Sequence, residues 1–216
     1  MKRNELAEGG LMELGGNRIV PVVVIERAER AAGLGEALVA GGIPVAEVTL
    51  RTAAGIDAIA AMAGNPDLLV GAGTVLTADQ VDRAVDAGAR FIVSPGFSPR
   101  VVERALERGV DVVPGTVTPS EIMAALDLGL TTLKFFPANV YGGAPALKAL
   151  GAPFGAVRFI PTGGVSAANI GEYLALENVA AVGGSWMVPS AAIDGGDFDT
   201  IRQLCLSAVA AANEEF

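Results

Sequence analysis

The 216-residue chain contains no histidine. That removes the commonest general base and the commonest catalytic metal ligand, so any chemistry has to run on carboxylates, lysine, hydroxyls or a bound cofactor. Cysteine is nearly absent. The single Cys205 excludes an internal disulfide, which fits the cytosol. In the pattern IRQLCLSAVAAA it reads as a small core or interface residue rather than a catalytic thiol. Basic residues are scarce, 15 against 24 acidic ones, and the resulting net charge of −9 argues against nucleic acid and anionic membranes as partners. No segment reaches 18 unbroken apolar residues, and residues 1–17 hold no apolar run long enough for a signal peptide. That opening reads as a short N-terminal helix or tail ahead of a single domain over 18–216.

Apolar residues and glycine are plentiful: half the chain is apolar, 28 residues are glycine and only 18% are charged. Such a composition suits a large core with many tight turns. Apolar, β-branched runs occur at 19–25, 45–50, 68–75, 91–96, 111–116, 131–137, 157–164 and 179–186. Alanine-rich stretches of helical spacing separate them, such as TADQVDRAVDAGA and PSEIMAALDLG. These tend to open on Thr, Ser or Asp and close on Gly, as helix caps require. Strands alternating with helices imply parallel pairing under a helical cover. A closed (β/α)8 TIM barrel and an open doubly wound sheet both satisfy this. Eight even units fit the barrel, and no GxGxxG follows the first strand to support the open sheet.

One lysine stands inside the apolar run TTLKFFPANVYGG, residues 131–143. Burying a lone ammonium is costly, so Lys134 is either an ion-pair partner or a nucleophile made reactive by desolvation. Side chains alternate across a strand. Lys134 therefore shares a face with Thr132 and Phe136, and Glu47 shares one with Val45, Thr49 and Arg51. The intervening apolar residues suit a helical cover, which turns Glu47 and Lys134 into the barrel. Arg51 is expected near the rim, and Thr74 on the strand face of Ala72. All four lie toward the strand ends that carry barrel active sites, whereas Arg18 and Arg158 belong to the opposite, structural end. An amine facing a carboxylate can attack a ketone and form an iminium ion while the carboxyl group moves protons. Arg51 can grip a carboxylate and Thr74 can donate a hydroxyl. A buried Glu–Lys–Arg network that merely holds the barrel together is the competing reading. PTGGVS (161–166) and GGSW (183–186) close the last two strands, where such barrels commonly bind phosphate. Glycine lets backbone N–H groups approach an anion, and a plain turn is the alternative there.

VAEVTLRT, VGAGTVLT, SPGF, KFFPA, PTGGVS and GGSW, in that order, resemble the motifs of the 2-keto-3-deoxy-6-phosphogluconate (KDPG) / 4-hydroxy-2-oxoglutarate aldolase family, from about Ile19 to the C-terminal helix. The resemblance implies a class I, Schiff-base lyase on a (β/α)8 barrel, with neither metal nor cofactor, commonly a cytoplasmic homotrimer. It implies Lys134 as the Schiff-base lysine and Glu47 as the general acid/base. Arg51 and Thr74 would hold the pyruvyl carboxylate, Pro95 and Phe136 would wall its pocket, and Gly163, Gly164 and Ser185 would bind the distal phosphate. The implied products of KDPG are pyruvate and glyceraldehyde 3-phosphate. NVYGG after KFFPA departs from the EANGG of one branch, which leaves 4-hydroxy-2-oxoglutarate and the galactonate epimer of KDPG as alternative substrates. Two other readings compete: another phosphate-binding barrel enzyme, such as an epimerase or a thiazole- or indole-forming synthase, and a catalytically silent barrel that acts in binding or assembly.

Overall fold

The computed structural model describes residues 18–213; the helix or tail expected over 1–17 lies outside them. Each of the eight apolar runs contains one strand: β1 Ile19–Val23, β2 Val45–Thr49, β3 Leu69–Gly73, β4 Phe91–Ser94, β5 Asp111–Thr116, β6 Thr132–Phe135, β7 Arg158–Pro161 and β8 Val182–Gly184. Several strands are shorter than their runs, and β3, β4, β7 and β8 stop at or just before a glycine or proline. Helices α1 Ala31–Ala40, α2 Gly55–Ala63, α3 Ala78–Asp86, α4 Pro99–Glu107, α5 Pro119–Asp127, α6 Gly143–Gly151, α7 Ile170–Leu174 and α8 Ser190–Gly195 follow in alternation, and α9 Phe198–Ala212 ends the described chain.

The strand order is β7-β6-β5-β4-β3-β2-β1-β8, with every adjacent pair parallel. Parallel bridges Phe159↔Val179 and Thr162↔Gly183 join the two ends of that order. The sheet is therefore a (β/α)8 barrel, as the even spacing predicts.

Alternation sorts the core. Leu133 and Phe135 face the helices with no exposed surface, and Phe135 meets Phe159 edge-to-face with ring centroids 6.4 Å apart. Ala46 and Val48 are likewise fully buried. Helix starts follow from local capping. Thr77 accepts the Gln80 N–H, and Thr118 and Glu121 form a reciprocal capping box at α5. Cys205 is wholly buried where α9 packs on α1, and burial pushes its thiol up to about 12, which agrees with an inert core residue. Among the described residues, no helix is long and apolar enough to cross a membrane.

Candidate active site

β2 and β6 are not neighbours in the sheet, yet Lys134 Nζ lies 3.0 and 3.2 Å from the two carboxylate oxygens of Glu47. Only the interior of a closed barrel allows that contact. Both residues are nearly inaccessible, at 3% exposure for Glu47 and 4% for Lys134. The face assignment read from alternation therefore holds for both. Lys134 Nζ also lies over the Phe136 ring, 5.3 Å from its centroid, so the ring covers one side of the amine. Thr116 Oγ1 donates to the Lys134 carbonyl at 3.4 Å and Thr49 Oγ1 to the Val23 carbonyl at 2.9 Å, so buried hydroxyls tie both strands to their neighbours. Thr49 follows from the alternation that picks out Glu47; Thr116 had no signal beyond its strand.

Arg51 and Thr74 meet at the rim, where Arg51 Nε donates to Thr74 Oγ1 at 3.1 Å. That bond leaves both terminal nitrogens of the guanidinium for a carboxylate, and leaves the Thr74 O–H as a donor. The strand face expected for Thr74 needs correction. β3 ends at Gly73, and Thr74 takes φ 56°, in the left-handed region. Simple alternation stops there. Ala72 faces the helices with no exposed surface, while the turn at Thr74 brings its hydroxyl to Arg51.

Pro95 and Phe136 line an open hollow of about 240 Å³, together with Gly115, Val117, Glu121 and Tyr141. Burial acts to raise the Glu121 pKa, but hydrogen bonds from the Val117 and Thr118 N–H groups and the Thr118 hydroxyl hold the carboxyl below its ordinary value. An ionised carboxylate in the hollow repels an anionic group there.

The Thr162↔Gly183 bridge sets the loops after β7 and β8 side by side, which brings Gly163 and Gly164 close to the segment carrying the exposed Ser185. Gly163 and Gly164 have φ 94° and 81°, a conformation open to glycine and costly for other residues. A Cβ on Gly164 would also fall 2.4 Å from the Asn139 Cβ. The helices after these loops start late, at Ile170 and Ser190, because turns intervene; Ser166 N–H donates to Asn169 Oδ1 within one of them. An anion placed in this corner would therefore meet loop backbone and the Ser185 hydroxyl rather than a helix terminus. Arg18 donates to the Leu174 carbonyl and Arg158 to the Gly155 carbonyl, away from the Lys134–Glu47 pair, as expected of the structural end.

A family model described as KDPG and KHG aldolase matches residues 12–204. A 2-dehydro-3-deoxy-phosphogluconate aldolase from Treponema pallidum is 50% identical over 188 residues, 87% of this chain and 90% of its own length. A KHG/KDPG aldolase from Escherichia coli (strain K12) is 48% identical over 195 residues, 90% of this chain and 92% of its own. The crystal structure of a Legionella pneumophila KDPG aldolase, with pyruvate captured as a covalent carbinolamine intermediate, superposes with a TM-score of 0.87 at 44% identity, covering 90% of this chain and 95% of that one. Agreement in sequence, over nearly the full length, and in the barrel itself places this chain in the KDPG and KHG aldolase family.

Proposed function

We propose that the protein is a class I aldolase that reversibly cleaves KDPG to pyruvate and glyceraldehyde 3-phosphate, with Lys134 as the Schiff-base nucleophile. The observation that carries this reading is the direct contact of Lys134 Nζ with both Glu47 oxygens inside the barrel. A purely structural pair is a poor use of this position, since desolvation cancels much of what such a pair gains.

The chemistry follows from that contact. Lys134 gives up a proton to Glu47 and attacks the C2 ketone, forming a carbinolamine. Glu47 protonates the departing hydroxyl, water leaves, and an iminium ion remains. The Glu47 carboxylate then takes the proton of the C4 hydroxyl. The C3–C4 bond breaks, its electron pair moves into the iminium to give an enamine, and the aldehyde departs. Glu47 returns a proton to C3, and hydrolysis frees pyruvate and Lys134. Arg51 and Thr74 hold the substrate carboxylate, Pro95 and Phe136 wall the three-carbon end, and Gly163, Gly164 and Ser185 take the distal phosphate. The ionised Glu121 weighs against the hollow as the place for the phosphate.

4-Hydroxy-2-oxoglutarate is a second substrate of the same site, a reading favoured by the Escherichia coli relative whose name carries both activities. The protein is also taken to be a homotrimer, which suits the adjacent exposed side chains of Val140 and Tyr141.

Incubation with pyruvate and borohydride tests the reading directly. The chain has three lysines, Lys2, Lys134 and Lys148. Peptide mass mapping is expected to find the reduced pyruvyl group on Lys134 alone. An unmodified Lys134, or equal labelling of Lys148, overturns the assignment.

A further inference from the structure

We infer that Gly73 is a positioning residue for the reaction: the side chain missing at this point on β3 is the space in which the Glu47 carboxylate reaches Lys134. This rests on the Schiff-base reading above. The register sets Gly73 opposite Thr49 and Gly71 opposite Glu47. A Cβ placed on Gly73 lies 2.4 Å from Glu47 Oε1, 2.6 Å from its Cγ and 2.9 Å from its Cδ, so Gly73 faces the interior. Gly71 shares that face by alternation, and a Cβ there would fall 2.3 Å from three atoms of the Phe91 ring. The inner face of β3 is thus glycine twice over. The lower vacancy is filled by Phe91 and the upper one by Glu47.

Backbone conformation does not explain Gly73. Unlike Gly163 and Gly164, it does not adopt a positive φ, and it lies within a regular strand. Alanine is therefore admissible for the backbone, and the objection to it is steric alone. The three nearest atoms all belong to the Glu47 side chain. Rotating Glu47 away relieves the clash without moving a strand. The same rotation breaks the contacts at 3.0 and 3.2 Å on which proton transfer depends. A methyl group at position 73 is thus tolerated by the fold and resisted by the chemistry.

The test is a cycle of Gly73→Ala and Glu47→Gln. Each variant is assayed for cleavage turnover and for the rate of borohydride-trapped pyruvyl adduct on Lys134, with circular dichroism as the control for folding. Gly73→Ala alone is expected to fold normally and to lose roughly 10²-fold in kcat, the loss of a displaced acid/base, with a smaller change in KM. In the Glu47→Gln background the same substitution is expected to change trapping and turnover less than threefold, because the group it displaces is already disabled. Equal losses in both backgrounds, or a Gly73→Ala variant that does not fold, refute the role of Gly73. Failure of Glu47→Gln to slow the wild-type enzyme instead refutes the assignment of Glu47, so the two ideas fail separately.

Discussion

Thr74 is the only non-glycine residue in the described chain with a positive φ, and it is β-branched, the side-chain type least suited to that region. Such a conformation costs on the order of 1–3 kcal/mol and persists only where the surroundings enforce it. Here it delivers a hydroxyl to Arg51 at 3.1 Å. Thr74→Gly separates the two consequences. Glycine accepts the backbone without strain, so the melting temperature is expected to stay within a few degrees of the parent. The lost hydroxyl bond to a charged group is expected to weaken pyruvate binding about tenfold, read from the concentration dependence of adduct formation. A large fall in melting temperature with unchanged binding makes Thr74 a structural residue.

The loops after β7 and β8 act as one element, because the Thr162↔Gly183 bridge locks them together. Ser185 is the exposed hydroxyl at their junction. Ser185→Ala is expected to raise KM for KDPG several-fold and to leave 4-hydroxy-2-oxoglutarate, which has no phosphate, nearly unaffected. Equal effects on both substrates move the phosphate site elsewhere. This corner was legible in the sequence as Gly-Gly at two strand ends, and so were all eight strands, since β-branched runs bounded by glycine and proline are a direct consequence of buried parallel pairing. Glu47 and Lys134 were legible as well: a charge in an apolar run has a definite parity, and parity decides its face. Gly73 was not. Alternation is read from side chains, and a residue with none leaves no mark on either face. Nor was the left-handed turn at Thr74, because nothing in GAGTVLT signals that a β-branched residue leaves the strand there. The late starts of α7 and α8 come from local turns closed by side chains such as Asn169, which the capping pattern does not distinguish from a helix start.

At the scale of the molecule, charge and apolar exposure oppose each other. The chain carries a net charge of −9, so copies of it repel at long range. Yet Val140 and Tyr141 stand side by side in the loop after β6 with 78% and 52% of their surface exposed, and Tyr141 lines the hollow beside Phe136. Two adjacent large apolar side chains in water suit a contact with a second copy of the chain. If it is the contact between copies in a trimer, the contact is apolar and works against electrostatic repulsion. Added salt screens the repulsion while leaving apolar burial intact. The sedimentation mass is therefore expected to be three times that of the chain and to persist, or rise in stability, as salt is raised. Val140→Asp with Tyr141→Asp places two further negative charges at the contact and is expected to shift the mass toward monomer, most strongly at low salt. A parent protein that sediments as a monomer, or a trimer that falls apart on adding salt, means that the contact lies elsewhere and is ionic in character.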